Sequence, residues 1–178
     1  MKTLIGKYVN LRALEPEDLD FVYNVENDET IWHLSNTQTP FSRYVIKHYL
    51  EHAFKDIYEV KQLRLLIETV TKKPVGFIDL FDFDFKNKRA GVGILVKDES
   101  DRGKGFASES LKLLVDYSFR HLGMHQLYCN ISESNHESIR LFSNQGFKKI
   151  GLKQDWNCNN GVFSNEYLFQ LIKPESCT

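Results

Sequence analysis

The stretch 90–107 reads as a strand, a glycine-bearing turn and a helix start, in that order. Ala90-Gly-Val-Gly-Ile-Leu-Val96 is a strand-like apolar run, and Asp101-Arg-Gly-Lys-Gly-Phe-Ala107 follows it. Ala107, Leu111, Leu114, Val115, Phe119 and Leu122 then recur on one face of an amphipathic helix. At a helix N-terminus free backbone N–H groups converge and the helix dipole favours negative charge. Glycine lets an anion come close to the backbone, and Arg102 and Lys104 add positive charge at the same place. The turn therefore reads as a pyrophosphate cradle.

Around this unit the chain alternates strands and helices. Tyr8–Leu14 reads as a first strand, and Glu15-Pro-Glu-Asp18 opens a helix, with Pro16 in its first turn and two acids at the positive end of the dipole. Ser42 caps a second helix that runs to about Tyr58, with Val45, Ile46, Tyr49, Leu50, Ala53 and Phe54 at helical spacing. Strands follow at Leu63–Thr69, Val75–Phe85 and up to Val96. Within 77–85 the alternation of polar and apolar residues is clean only from Phe81 onward. After the central helix come a strand at His125–Ser132, a short helix at Asn135–Asn144, and a hairpin of 147–156 and 162–172 around Asn159-Asn160-Gly161. Adjacent antiparallel strands followed by a β-α-β crossover imply a mixed sheet with helices on its faces. No repeat, low-complexity tract or linker interrupts 1–178, so one domain is expected.

Bulk properties exclude some classes. With 23 basic and 24 acidic residues the formal net charge is −1, which gives no electrostatic footprint for nucleic acid. No apolar run approaches the length of a membrane span, and the first residues lack a signal-peptide core. Cys129, Cys158 and Cys177 are odd in number with no C-x-x-C pair, so free thiols in a reducing compartment are expected and a cytoplasmic location is the default. His121, His125 and His136 have no ligand spacing, so no metal is expected. The glycine loop lacks the Gly-x-x-x-x-Gly-Lys-Ser/Thr spacing of a phosphate-binding NTPase.

Two segments carry a resemblance. Arg102-Gly-Lys-Gly-Phe-Ala107 is similar to the Gln/Arg-x-x-Gly-x-Gly/Ala loop of the GNAT superfamily of acetyl-CoA-dependent N-acetyltransferases. Asn135-His-Glu-Ser-Ile-Arg-Leu-Phe-Ser-Asn-Gln-Gly-Phe147 resembles the same family's Asn-x-x-(Ala/Ser)-x-x-x-(Tyr)-x-x-x-Gly-Phe segment. With the order of strands and the closing hairpin, the resemblance covers essentially the whole chain. Within the superfamily, Val9-Asn-Leu-Arg-Ala-Leu-Glu-Pro-Glu-Asp18, Gly-Lys-Gly-Phe-Ala and His125-Gln-Leu-Tyr look like the branch of spermidine (diamine) and ribosomal-protein N-terminal acetyltransferases.

The resemblance implies an α/β (α+β) fold: a mixed, mostly antiparallel sheet of about seven strands flanked by about four helices, with parallel strands that splay to admit acetyl-CoA. It implies that the backbone of Ile94, Leu95 and Val96 pairs with the pantetheine arm as an added strand would. The N–H groups of Arg102, Gly103, Lys104, Gly105, Phe106 and Ala107 would hold the pyrophosphate, and Asn135 and Ser138 would sit beside the lower cofactor arm. Acetyl-CoA is the implied co-substrate and no metal takes part. The acceptor is a small amine or a peptide N-terminus, and a homodimer is among the expected assemblies.

Attack on a thioester needs a neutral amine, a donor for the oxyanion and a route for the departing thiolate. The N–H of Leu95 or Val96 is the candidate oxyanion donor. Candidate bases are Asp79 and then Asp82, with Asp84, His33 and Glu68 behind them. Asp79 leads because acidic residues at this third-strand position contact the polyamine in the enzymes the chain resembles. Glu26, Asp28 and Glu29 form a further acidic cluster, as fitting for a solvated face as for polyamine recognition. Trp32 fits a packing anchor, and Cys129 fits a core residue. Two positions depart from the family: Phe142 stands where a tyrosine general acid is common, and Gly91 where many relatives carry a glutamate. The expected activity is direct transfer of acetyl to a polyamine or diamine. The rivals are transfer to a protein or peptide α-amine, and a non-catalytic acyl-CoA-binding module.

Overall fold

The structure is a computed structural model and describes residues 2–32, 37–53 and 57–175. Seven strands form one sheet in the order β1-β2-β3-β4-β5-β7-β6. In sequence they are β1 (Val9–Arg12), β2 (Leu63–Thr69), β3 (Pro74–Asp84), β4 (Arg89–Val96), β5 (Gln126–Ser132), β6 (Lys148–Asn159) and β7 (Val162–Ile172). The described helices are α1 (Leu19–Glu26), α2 (Arg43–Glu51), the single turn α3 (Ile57–Val60), α4 (Phe106–Arg120) and α5 (His136–Asn144). Every neighbouring pair of strands is antiparallel except β4 and β5. This is the mixed, mostly antiparallel architecture that the sequence implied.

Side-chain alternation along each strand divides the core between the two faces of the sheet. On one face Leu65, Ile67, Ile78, Leu80, Ala90, Val92, Leu127 and Cys129 pack with Leu111 and Leu114 of α4. On the other, Leu66 and Phe77 pack under Val22 and Val25 of α1 and Ile46 and Leu50 of α2. Helices on both faces bury the run Val75–Leu80 nearly throughout, apart from half-buried Asp79. That two-sided burial is why the first half of β3 shows no clean alternation in sequence.

Ser42 caps α2 as expected, its hydroxyl accepting the Val45 N–H at 3.2 Å. The helix does not run on to Tyr58. Only Ile46 and Leu50 of α2 are buried, and the helix ends at Glu51. Phe54, counted on its apolar face, lies outside the described residues, as do His33 and Cys177.

Arg12 ties the first strand to its surroundings. Its guanidinium donates to both carboxylate oxygens of buried Asp18, at 2.7 and 2.8 Å, and to Glu68 at 2.8 Å. Lys72 takes the other oxygen of Glu68 at 2.7 Å. Glu68 is thus a structural partner on β2 with both oxygens engaged, and its candidacy as a base is withdrawn.

A second clamp joins the N-terminal segment to the start of α4. The Glu109 carboxylate accepts the backbone N–H groups of Lys7, Tyr8 and Val9 at 2.8, 2.7 and 2.8 Å. A side chain at Gly6 would collide with that carboxyl group. Burial raises the Glu109 pKa, but the three amide bonds and Lys7 outweigh it and hold the value below the ordinary one. A group depressed in this way adds stability above its unfolded pKa, near 4.3, and loses it as pH falls toward the folded value. Glu109→Ala is expected to cost about 1–3 kcal/mol at pH 7 by urea unfolding. The difference from wild type should shrink at about pH 3, below the unfolded value; a cost independent of pH would show that the carboxylate charge is not what holds the segment.

Candidate active site

The chain leaves β4 at Val96 and reaches α4 through a 3-10 turn at Glu99–Asp101 and the loop 102–105. Gly105 stands at the helix N-cap with φ 84°, and Gly103 has φ 73°. Both lie in the left-handed region that glycine tolerates. A Cβ at either position would meet no protein atom within 4 Å. The glycines are thus required by backbone conformation, and the space above them is free for another molecule.

Asp101 fixes the loop from below. Its carboxylate is 3% exposed and accepts Lys73 Nζ at 2.6 Å and Lys104 Nζ at 3.0 Å. Those two ammonium groups hold its pKa below the ordinary value despite burial. The Arg102 N–H is spent on the Glu99 carbonyl at 3.0 Å, so Arg102 can reach an anion only through its exposed side chain. The N–H groups of 103–108 meet no acceptor among the described residues, until Glu109 N–H returns to the Gly105 carbonyl at 3.0 Å. The run of free donors therefore extends one residue beyond the expected set, to Ser108. The first-turn rule for helix donors could have added it.

Below the loop, β4 and β5 pair over only three positions: Arg89 with Gln126, Ala90 with Leu127 and Gly91 with Tyr128. Past that point β4 stays with β3 as far as Val96, and β5 stays with β7 as far as Ser132. The inner edges of 92–96 and 129–132 thus face a gap with no ladder between them. A bulge in β3 lies level with the paired stretch Arg89–Gly91, with a register shift between Phe81 and Asp84 and Asp82 at φ 49°.

The alternation of the β3–β4 ladder decides which amides face the gap. Lys97 N–H donates to the Val75 carbonyl at 2.9 Å. Counting back two residues, Leu95 opposite Phe77 is the next hydrogen-bonded pair. The Leu95 amide is therefore turned toward β3, and the amides of Ile94 and Val96 point into the gap. Of the two oxyanion donors expected, this geometry turns Leu95 away and leaves Val96.

On the face covered by α1 and α2, β4 is bare at Gly91 and Gly93. A side chain at Gly91 would overlap the ring of Phe81, which stands edge-on to Tyr128 with centroids 6.0 Å apart. The place of the family glutamate is thus filled by a phenylalanine from β3. Asp79 lies directly opposite Gly93, across the bare glycine of β4 from the gap. Its Oδ1 accepts Arg64 Nε at 2.7 Å, and Arg64 also donates to Glu26 Oε1 at 2.6 Å. Burial pushes the Asp79 pKa above the ordinary range, against the opposing pull of Arg64.

The other acids are elsewhere. Asp82 is exposed, accepts the Tyr128 phenol at 3.2 Å, and lines an open cavity of about 880 Å3 with Lys61, Asp84, Arg89, Gln126 and Gln170. Arg89 and Gln126 begin their strands, so this cavity lies across the last β4–β5 pair from the gap. The structure does not bring Asp79 and Asp82 together. Asp84 is held by Asn87 and Arg89 in the β3–β4 turn. Asn135 caps α5, its Oδ1 accepting the Ser138 N–H at 3.0 Å. Trp32 donates its indole N–H to the Glu26 carbonyl at 2.9 Å and anchors the end of α1. Phe142 is buried edge-on against Phe147, so no phenol is available there. Among the described residues no group of three or more His, Cys, Asp or Glu is placed to hold a metal ion, and no helix is long and apolar enough to cross a membrane.

The chain is similar to known proteins in sequence and in fold. The family model of the acetyltransferase (GNAT) domain, Acetyltransf_3, matches residues 9–148. The uncharacterized N-acetyltransferase p20 of Bacillus licheniformis is 28% identical over 178 residues, 98% of each chain. The spermidine N(1)-acetyltransferase of Vibrio cholerae is 29% identical over 151 residues, 83% of each chain. A solved spermidine N-acetyltransferase from Vibrio cholerae, in complex with CoA and spermine, superposes with a TM-score of 0.82 at 25% identity, over 92% of this chain and 95% of that one.

The packing over Gly91 can be checked directly. Gly91→Ala is expected to cost about 1–3 kcal/mol by overpacking, measured by urea unfolding. The same change in a Phe81→Leu background should cost less; an equal cost would show that the Phe81 ring is not the obstacle.

Proposed function

Because the chain belongs to the GNAT acetyltransferase family, we propose that it transfers acetyl from acetyl-CoA to a primary amine by direct attack, with a polyamine or diamine as acceptor. The observation that carries this is the β4–β5 gap, with the free donors of α4 beyond the end of β4 and a carboxylate on the α1/α2 face. The spermidine acetyltransferases among the similar proteins support the acceptor class.

Acetyl-CoA supplies an activated thioester. Open space over Gly103 and Gly105 and the uncommitted N–H groups of 103–108 suit its pyrophosphate. Arg102 and Lys104 add charge there, and Asn135 and Ser138 remain the proposed neighbours of the lower arm. The edge of Ile94–Val96 offers hydrogen bonds to an extended amide-bearing arm. The Val96 or Ile94 N–H meets the charge that develops on the carbonyl oxygen. An alkylamine of pKa about 10 arrives as its ammonium ion; Asp79 receives the first proton through the oxygen Arg64 leaves free, and the second is lost to water as the N–C bond forms and the C–S bond breaks. Its raised pKa makes it a better base than an ordinary carboxylate. With phenylalanine at 142, sulfur departs as the thiolate, which is an acceptable leaving group once proximity has done its part. No covalent acetyl-enzyme is needed.

One observation favours a second acceptor, a peptide α-amine. In this second reading the acceptor enters on the Asp82 side of the β4–β5 pairs, where the open cavity carries Lys61 and Arg89 as well as Asp82 and Asp84 and is balanced in charge rather than narrow and acidic. The exposed Ile150, Leu152 and Trp156 on edge strand β6 support self-association.

Thiol release from acetyl-CoA should be measured with spermidine, spermine, putrescine, an aminoglycoside and a short peptide. Release that depends on the polyamines is expected. Release with the peptide alone would establish the second reading, and release with no amine would overturn transfer. Asp79→Asn should lower kcat/KM by about a hundredfold or more and abolish its fall on the acid side; an unchanged value would remove Asp79 from the chemistry. Gly105→Val should weaken acetyl-CoA binding at least about tenfold by calorimetry, through loss of the left-handed cap and of the cradle. Unaltered affinity would exclude the loop.

A further inference from the structure

Arg64 sits in the wall of the proposed acceptor slot as a resident cation. It projects from β2 onto the face covered by α1 and α2 and bridges two elements, reaching Glu26 at the end of α1 and Asp79 on β3. The three side chains are 23%, 19% and 18% exposed. The guanidinium lies over the Phe77 ring, 5.4 Å from its centroid, and Tyr49 of α2 interacts with it from above. Asp79 and Glu26 pair with no other cation among the described residues. Each keeps one oxygen not engaged by Arg64.

Two carboxylates and one guanidinium leave the cluster with one formal negative charge. Such counting matters here because partial burial weakens screening, and charges a few ångströms apart then interact strongly. Without Arg64 the wall would carry two negative charges and would suit a dication. With it the net charge of the wall balances one ammonium.

We propose that Arg64 is a specificity-determining residue: it cancels one of the two negative charges beside the acceptor slot and so limits the advantage that a diamine or polyamine has there over a monoamine. This rests on the transfer reaction above and deepens it. The catalytic proton remains with Asp79, and Arg64 acts through the charge it places beside that carboxylate. Glu26 tunes the same balance from α1.

The test is a selectivity ratio: kcat/KM for 1,4-diaminobutane divided by kcat/KM for butylamine, from thiol release. Because the ratio is internal to each protein, a reduced folded fraction cancels. Arg64→Gln makes the wall one charge more negative and should raise the ratio roughly three- to thirtyfold. Glu26→Gln removes one negative charge, keeps an acceptor for Arg64, and should lower the ratio by a similar factor. Arg64→Lys keeps the charge and should hold the ratio near wild type. A ratio that does not move in Glu26→Gln, or that moves the same way in Glu26→Gln and Arg64→Gln, overturns the proposal. Should Arg64→Gln fail to fold, Glu26→Gln alone decides. Wild-type enzyme that acetylates neither amine, nor any in the wider panel, would overturn the transfer reaction itself; active enzyme with unmoved selectivity would overturn only the role of Arg64.

Discussion

The site depends on how early one parallel ladder stops. β4 and β5 hold each other for three residue pairs and then part, while each keeps its antiparallel partner on the outside. A strand that loses a partner inside a sheet must satisfy its backbone groups elsewhere or leave them to water. Here the exposed edge is a row of amides and carbonyls on a rigid, well-packed strand, which can accept an extended ligand as one more strand. The same strand leads through Asp101 and two glycines to the N-terminus of α4. One local break in the pairing thus aligns an unpaired strand edge with the uncommitted N–H groups at the start of α4.

Both ends of this line are held by buried charge. Asp101 gathers Lys73 from the β2–β3 turn and Lys104 from the glycine loop, so the loop is fixed before any ligand arrives. Glu109 ties the first turn of α4 to the N-terminal segment. On the opposite face Arg64 does the same for Asp79 and Glu26. Asp101 is buried while its two lysines are half-exposed, and Arg64, Glu26 and Asp79 are each less than a quarter exposed, so removing the cations would leave poorly solvated carboxylates without a partner. Preorganisation of this kind is what a transfer reaction needs when proximity supplies much of the rate.

The strands and the glycine loop were legible because their signals are local. Leu63–Thr69 has the bounds read from sequence, and Ser42 and Asn135 cap their helices as their residue types suggest. What escaped depends on contacts between distant elements. The parity of the Leu95 amide is set by the register of β3 against β4, which no composition reveals. The bulge at Asp82 breaks the alternation of β3 and sets that side chain against Tyr128, and the engagement of Asp79 by Arg64 depends on pairing across β2 and β3. Helical spacing also continued past Leu50, whereas α2 ends at Glu51. The replacement of the family glutamate makes sense only with Phe81 in view, since the glycine and the ring over it occupy one space.

The central claim is that the β4–β5 gap receives the thioester and that amides of Ile94 and Val96, not Leu95, face it. A crystal structure of the protein with CoA tests this most directly. The account predicts the pantetheine arm between 92–96 and 129–132, hydrogen-bonded to Ile94 or Val96, with the sulfur on the side of Asp79 and the pyrophosphate on the N–H groups of 103–108. CoA bound elsewhere, or an arm paired with the Leu95 amide, would contradict it.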